Sequence, residues 1–172
     1  MKALVVVDYQ VDFVSGALGC AGAEKLESVI LSKIEETRAR GGQVIFTLDT
    51  HSDGYLDTAE GKKLPVPHCI EGTAGHALFG GVAQAVRQGD IVIKKTSFGS
   101  LELADLLMRG GYDEVELCGL VTDICVISNA VLAKAALPES RIVVDSGACL
   151  TADPEAQSRA LAVMRGVHID VI

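Results

Sequence analysis

The chain has 172 residues, 49% of which are hydrophobic, and its formal net charge is −8 at pH 7. A chain of this length can bury a substantial core without disulfides or metals, so we expect residues 1–172 to form a single domain. An acidic chain without a basic run is unsuited to binding nucleic acid or an anionic membrane surface, which excludes both as expected partners.

Apolar runs and cysteines indicate the compartment in which the protein works. No apolar run is long enough to span a membrane, and the amino terminus lacks the apolar stretch and cleavage site of a secretory leader. The five cysteines are odd in number and form no CxxC pair, which favours neither a disulfide framework nor a thiolate zinc site. We therefore expect a cytoplasmic protein.

Six short apolar runs predict β-strands, and helical patterns lie between them. The predicted strands are 3–7, 44–48, 91–93, 115–118, 141–145 and 167–172. Helices are predicted over 23–40, 77–87, 123–136 and 153–165, and another begins after Ser100 and ends at the glycine pair 110–111. This alternation predicts an α/β fold: a doubly wound, open, six-stranded parallel sheet with helices on both faces.

Four residues with reactive side chains follow the predicted strands. Asp8, Asp49, Lys95 and Cys125 lie at or just beyond strand carboxyl ends, where open α/β sheets place their active sites. A carboxylate can take a thiol proton and later deliver it to a leaving amine, and a nearby ammonium keeps that carboxylate ionised. Each acid or lysine alone could be a turn or strand-end residue, but with the cysteine they predict a nucleophilic centre.

Cys125 is the candidate nucleophile. It follows a buried strand and the turn at Gly119, and we expect it in the first turn of the helix over 123–136. The unpaired backbone N–H groups there favour negative charge, which predicts a lowered thiol pKa and a site for the oxyanion of an acyl intermediate. A cysteine in apolar surroundings is more often an inert core residue, so the prediction depends on neighbouring motifs.

Three motifs resemble those of one enzyme family. DYQVDF at 8–13 matches the pattern D-x-Q-x-D-F, and GLVTDICV at 119–126 matches the nucleophile turn G-x-x-T-D-x-C-V. KTSFGSL at 95–101 is similar to the lysine motif, with an aromatic residue three positions after the lysine. On these motifs the whole chain resembles the isochorismatase-like cysteine hydrolases, and within them the nicotinamidases. The resemblance implies the isochorismatase-like hydrolase fold.

The resemblance also implies the roles of particular residues. Asp8, Lys95 and Cys125 would form a catalytic triad. A cis peptide bond between Leu120 and Val121 would direct the backbone N–H groups of Val121 and Cys125 into an oxyanion hole. These assignments follow from the matched motifs at 8–13, 95–101 and 119–126.

The choice of lysine depends on spacing. Lys94 and Lys95 are adjacent on a predicted strand, so their side chains point to opposite faces of the sheet and only one can reach the site. Phe98 stands three positions after Lys95, as the family's lysine motif requires, and this favours Lys95.

The loop over 50–76 distinguishes a nicotinamidase within the family. It holds three of the four histidines, and Asp49, His51 and His68 resemble the nicotinamidase metal motif, D-x-H followed by P-H. Two imidazoles and a carboxylate suit one divalent ion, above all zinc, with iron or manganese as alternatives. Glu60 is the nearest candidate for a fourth ligand, although its spacing does not match the motif cleanly.

The implied activity is the hydrolysis of nicotinamide to nicotinate and ammonia through a cysteine thioester, a step of NAD salvage. In the family the metal binds the ring nitrogen of this small-molecule amide, and Phe13 and Phe98 would stack on its ring. We also expect a homo-oligomer.

Two other interpretations stay open. The chain could be a relative with another substrate, such as a metal-free carbamoyl or amide hydrolase or an isochorismatase, or an idle member that acts as a binding module. Cys125 argues against an isochorismatase, because that reaction needs no cysteine, and Asp49, His51 and His68 argue against a metal-free amidase. A hydrolysis assay would separate an enzyme from an idle module.

Overall fold

A computed structural model describes residues 1–172, and six β-strands form its sheet. They are β1 (Lys2–Val7), β2 (Gln43–Asp49), β3 (Ile91–Lys95), β4 (Glu114–Leu120), β5 (Arg141–Leu150) and β6 (Asp170–Val171). The strand order is β3-β2-β1-β4-β5-β6, and every neighbouring pair is parallel. This confirms the predicted open, six-stranded parallel sheet.

Six α-helices surround the sheet. They are α1 (Val11–Val14), α2 (Leu26–Ala39), α3 (Gly80–Ala85), α4 (Leu101–Gly110), α5 (Ile127–Ala136) and α6 (Pro154–Gly166). Contacts join α2 to α3, and α5 to both α4 and α6. The chain adds β2 and β3 on one side of β1 and then returns to add β4, β5 and β6 on the other side, so right-handed crossovers place these two groups of helices on opposite faces, as predicted. No helix combines the length and apolar character needed to cross a membrane.

Local sequence explains where two of the helices begin and end. The Ser100 side chain accepts a hydrogen bond of 3.1 Å from the backbone N–H of Leu103 and caps α4. Gly111 follows α4 with a left-handed φ of 63°, which favours glycine. Asp153 caps α6 in the same way as Ser100 caps α4, and Pro154 occupies the first helical position. The predicted caps are therefore confirmed.

Several elements differ from their predicted bounds. The short helix α1 lies in a predicted loop, because Phe13 and Val14 bury their side chains in the core. α3 spans only Gly80–Ala85 and begins with two glycines, which are weak helix formers. β5 runs beyond its predicted end because its pairing with β4 resumes after a register shift. β6 keeps only two residues, since a turn at 167–168, with a left-handed φ of 62° at His168, separates α6 from the strand.

The chain does not turn at Gly119 as predicted, because β4 continues to Leu120, but this position near the end of the strand requires a glycine. Gly119 has a φ of +116°, and a Cβ atom at this position would lie 2.0 Å from the carbonyl oxygen of Val7 on β1. No larger residue fits there, so β1 and β4 approach each other closely at their carboxyl ends. Asp8, directly after β1, has a φ of 45°, which is uncommon for a non-glycine residue. This close approach brings Asp8 beside the turn that leads to Cys125.

Candidate active site

Lys95 lies at the centre of a cluster at the carboxyl edge of the sheet. Its buried Nζ is 2.7 Å from Oδ2 of Asp8 and 3.0 Å from Oδ1 of Asp49. The same atom donates hydrogen bonds to Sγ of Cys125 at 3.5 Å and to the carbonyl oxygen of Ser97 at 3.0 Å. These side chains come from the ends of β1, β2, β3 and β4, which are adjacent in the sheet. The structure thus brings together all four residues that the strand ends predicted.

Strand alternation decides between the two adjacent lysines. Lys95 pairs in register with Asp49 on β2, and its side chain is buried among the acids. Lys94 points away, is half exposed, and forms a salt bridge of 2.5 Å with Glu71. Lys95 is therefore the lysine that contacts the candidate nucleophile.

Asp8 is positioned as a base. Its side chain is fully buried, and Oδ1 accepts a hydrogen bond of 2.6 Å from the hydroxyl of Thr47 on β2. Burial raises the pKa of Asp8, while the positive charge of Lys95 offsets only part of that rise. The carboxylate is consequently more basic than an exposed one and holds its charge through contact with the lysine.

The thiol of Cys125 differs from the sequence-based expectation. Burial raises its pKa well above the usual value, the negative charge of Asp8 raises it further, and Lys95 counteracts both only in part. The predicted lowering of the thiol pKa is therefore wrong for the resting site, because desolvation outweighs the backbone N–H groups. A neutral thiol next to an ionised carboxylate can still react, since the proton moves only to Asp8 within the same buried cluster.

The turn that carries Cys125 also has an unusual backbone. The peptide bond between Leu120 and Val121 is cis, as the family resemblance implied. The next residues, Thr122–Val126, form a π-helical turn that leads into α5. Cys125 therefore lies in this π turn, two residues before α5 begins at Ile127, and the predicted start of an α-helix at 123 is wrong. π turns of this kind are frequent at functional sites.

A second cluster adjoins the first through Asp49. Oδ2 of Asp49 lies 2.9 Å from Nε2 of His51 and 3.4 Å from Nε2 of His68. Oε1 of Glu60 lies 3.8 Å and 3.6 Å from the same two nitrogens. One ligand atom from each residue falls within 4.8 Å of all the others. Glu60, the candidate fourth ligand named from the sequence, thus lies beside the three residues of the motif.

These four residues fit a divalent ion. Tetrahedral ligands at usual zinc distances lie about 3.4 Å apart, which is close to the separations in the cluster. Burial alone would raise the pKa of Asp49, but a hydrogen bond from His68 and the charge of Lys95 lower it to about 2. Nδ1 of His68 is bound to the carbonyl oxygen of Val66 at 2.8 Å, which leaves Nε2 to face the cluster. Two imidazoles and two carboxylates suit zinc, iron or manganese.

An open cavity of about 790 Å³ lies over the second cluster. His51 and Glu60 line it on one side, and Thr96, Phe98 and Ile124 line it on another. Phe98, which is 42% exposed, is the aromatic residue of this lining. A cavity of this size and lining is suited to a small organic molecule.

Phe13 is more deeply buried than Phe98. Its side chain is 7% exposed and packs edge-on against His68, with ring centroids 5.5 Å apart. It is absent from the cavity lining. Phe13 therefore supports a candidate metal ligand, and Tyr55 contacts the same imidazole from another direction, with centroids 5.0 Å apart.

Three buried polar residues near the site carried no predicted role. Thr47 donates to Asp8, and Gln10 binds both backbone groups of Asp49, accepting from N at 2.8 Å and donating to O at 2.9 Å. Asn129 on α5 donates to the carbonyl oxygen of Cys125. For Thr47 and Asn129, a polar side chain within an otherwise apolar strand or helix was the signal available in the sequence, because such groups need partners when buried; Gln10 is the glutamine of the motif at 8–13.

Comparison with known proteins identifies the family. The sequence-family model of the Isochorismatase domain matches residues 2–172. The nicotinamidase/pyrazinamidase of Mycobacterium tuberculosis is 30% identical over 186 residues, which cover 100% of this chain and 98% of that protein. The crystal structure of nicotinamidase PncA from Bacillus subtilis has a TM-score of 0.87 and 30% identity, covering 99% of this chain and 98% of that one.

A third similar protein has been solved with a ligand. PnC1 from L. infantum, in complex with nicotinate, has a TM-score of 0.83 and 25% identity, covering 100% of this chain and 92% of that one. The fold predicted from the motifs is shared by these hydrolases. Because the family model spans nearly the whole sequence, this chain belongs to the isochorismatase family.

Proposed function

We propose that the protein is a metal-dependent amidase that hydrolyses nicotinamide to nicotinate and ammonia through a thioester on Cys125. One observation carries this proposal: Nζ of Lys95 lies within hydrogen-bonding reach of Cys125 and of both Asp8 and Asp49. Asp49 faces the two histidines with its other oxygen, so the lysine joins the nucleophile to the metal cluster. Similarity to nicotinamidases supports the choice of amide.

Acylation depends on a proton acceptor beside the thiol. Asp8, whose pKa is raised by burial, takes the proton of Cys125 while Sγ forms a bond to the amide carbon. Lys95 contacts both groups and stabilises the negative charge as it moves from oxygen to sulfur. When the tetrahedral intermediate collapses, its C–N bond breaks and Asp8 returns the proton to the departing ammonia.

Deacylation uses the same carboxylate. Asp8 accepts a proton from a water molecule while the water oxygen attacks the thioester carbon. The C–S bond then breaks, Asp8 returns the proton to the sulfur of Cys125, and nicotinic acid leaves and ionises to nicotinate in water. In both halves the backbone N–H groups of Val121 and Cys125 hold the oxyanion.

Substrate orientation is assigned to the metal cluster and the cavity wall. A divalent ion held by Asp49, His51, Glu60 and His68, most suitably zinc, would supply a Lewis-acidic contact for the ring nitrogen. Phe98 offers its ring to the aromatic face of the substrate. The amide then faces the carboxyl ends of β1 and β4, beside the nucleophile turn.

Ammonia release from nicotinamide tests the proposal. The purified protein, analysed for bound metal, should release one ammonia and one nicotinate per amide, with benzamide and acetamide as comparison substrates. We expect nicotinamide to have the highest kcat/KM of the three because it alone offers both a ring nitrogen and an aromatic face. Absence of ammonia release from nicotinamide by metal-loaded protein would reject the proposed activity.

A larger amide is the second candidate substrate, favoured by the size of the cavity. Its volume of about 790 Å³ falls in the upper part of the usual range for small-molecule sites, and Lys63 and Glu71 add charged groups to its rim. A series of pyridine-3-carboxamides with substituents on the ring would identify this case. A kcat/KM that rises with substituent size would show that nicotinamide fills only part of the site.

Lys95 and Lys94 form a matched pair of adjacent substitutions. We expect Lys95→Ala to lower kcat/KM by about 10²-fold or more, because it removes the charge that stabilises the thiolate and leaves two buried acids close together. Lys94→Ala should lower it less than about threefold, since that side chain is exposed and pairs only with Glu71. Steady-state kinetics of both variants, with melting temperatures, provides the comparison. Equal losses, or the reverse order, would show that the lysine role is misassigned.

A further inference from the structure

A fully buried asparagine connects the nucleophile turn to a loop that lines the cavity. Nδ2 of Asn129 donates to the carbonyl oxygen of Cys125 at 2.8 Å and to that of Phe98 at 3.0 Å. Oδ1 accepts from the backbone N–H of Ser100 at 2.9 Å. Only this orientation of the amide sets its donors against carbonyls and its acceptor against an N–H group, so all of its polar atoms are satisfied.

The loop over 96–100 is held at both of its ends. At its beginning, the carbonyl oxygen of Ser97 accepts a hydrogen bond of 3.0 Å from Nζ of Lys95. At its end, Asn129 binds Phe98 and Ser100, and Ser100 in turn caps α4. Between these points, Thr96, Ser97 and Phe98 face the cavity. Hydrogen bonds thus connect this wall of the cavity directly to Lys95 and, through Asn129, to Cys125, the two residues beside which the amide reacts.

Close packing reinforces this connection. A Cβ atom at Gly99 would lie 2.7 Å from Cδ1 of Leu132 on α5, so the loop rests directly on the helix that carries Asn129. α5 also packs against α4, which begins at the end of this loop. A shift of the loop relative to Cys125 would therefore have to break the asparagine's hydrogen bonds.

We propose that Asn129 is a positioning residue that fixes the substrate-facing loop 96–100 at a set distance from Cys125. The inference rests on the proposed amidase function for its kinetic consequence, because Phe98 is assigned to the substrate ring. Asn129 itself does not touch the cavity or the sulfur; it acts through two carbonyl groups and one N–H group. Its loss should impair ring binding more than the chemistry of the thiol.

Two substitutions distinguish the hydrogen bond that Asn129 makes to Cys125 from the two that it makes to the loop. Asn129→Ala removes all three hydrogen bonds. Asn129→Ser can restore the bond to Cys125, since a serine in a helix bonds to the carbonyl four residues earlier, but it cannot reach Phe98 or Ser100. Thr37→Ala is the control, because Thr37 is a buried polar residue on α2, on the opposite face of the sheet.

The kinetic test compares ring binding with thiol reactivity. We expect both Asn129 variants to raise KM for nicotinamide about tenfold while kcat and the rate of Cys125 alkylation by iodoacetamide change less than about threefold. Thr37→Ala should leave all three quantities close to wild type. A parallel fall of kcat, alkylation rate and melting temperature would indicate a structural role only, and an unchanged KM would overturn the proposal.

Hydrogen–deuterium exchange tests whether Asn129 holds the loop in place, without relying on turnover. Backbone amides over 97–100 should exchange faster in both Asn129 variants than in wild type or Thr37→Ala, because the Ser100 N–H loses its acceptor. Unchanged exchange there would overturn the positioning role. If the wild-type protein releases no ammonia from nicotinamide, the proposed function fails, and the exchange result alone then decides whether Asn129 holds the loop.

Discussion

Replacement of Cys125 by alanine is expected to lower kcat for nicotinamide by about 10³-fold or more, because the covalent route loses its only nucleophile. The fold should survive, since the change removes one sulfur atom from a nearly buried site and leaves the ion pair of Lys95 with Asp8 intact. We expect a loss of stability of about 1 kcal/mol, typical of a small buried truncation. Steady-state kinetics and thermal unfolding of the purified variant measure both effects.

Cys118→Ala is the matched control for this variant. Cys118 is fully buried on β4, but the charged groups that act on its pKa are Glu116, Lys33 and Asp145 rather than those of the triad, and Cys118→Ala should keep wild-type activity. Mass spectrometry with pyridine-3-carbaldehyde should show an adduct on Cys125 and on no other cysteine, because among the five cysteines only the sulfur of Cys125 accepts a hydrogen bond from a lysine ammonium. Activity above a few per cent in Cys125→Ala would exclude the covalent mechanism.

The fold was largely predictable because its signals are local. Continuous apolar runs marked the central strands, and caps such as Ser100 and Asp153 marked helix starts that the structure confirms. The predictions were wrong where tertiary contacts decide the outcome. β5 is extended by renewed pairing with β4, and α1 is stabilised by the burial of its apolar side chains, neither of which a sequence pattern shows.

The position of the site was predictable for a geometric reason. Parallel strands end at one edge, so Asp8, Asp49 and Lys95 had to lie near each other, and the motif at 119–126 added Cys125. The ionisation of the thiol was not predictable in the same way. Its pKa depends on how completely the site is desolvated and on the charge of Asp8, which are properties of the packed structure.

Long-range partners were the least predictable part of the site. Glu60 meets His51 and His68 only because the irregular segment between them folds back, and no periodic pattern places it there. Asn129 stands out in the sequence as a polar residue in an apolar helix, yet its partners Phe98 and Ser100 are about thirty positions away. Such contacts follow from the packing of α4 against α5 rather than from local spacing.

Metal removal provides the second large effect, and its size should depend on the substrate. Chelation, or His51→Ala, should lower kcat/KM for nicotinamide by about 10²-fold, in line with the loss of a metal-ligand contact. Benzamide has no ring nitrogen, so its slower hydrolysis should change much less. A ligating imidazole must also be neutral, so bound metal should decrease as the pH falls through the histidine range. Metal analysis of each sample, run beside the two ammonia assays, links occupancy to rate.

His168→Ala and metal re-addition are the controls that separate orientation of substrate from support of the fold. His168 is exposed and far along the chain from the cluster, so its removal should leave both the metal content and the two rates unchanged. Zinc added after chelation should restore nicotinamide hydrolysis. Equal losses for nicotinamide and benzamide would assign the ion a structural role, because Asp49 also contacts Lys95 and a disordered Asp49 would disturb the triad. Full nicotinamidase activity in metal-free protein would refute the metal assignment, and the cluster of Asp49, His51, Glu60 and His68 would then be a hydrogen-bonded support for Lys95.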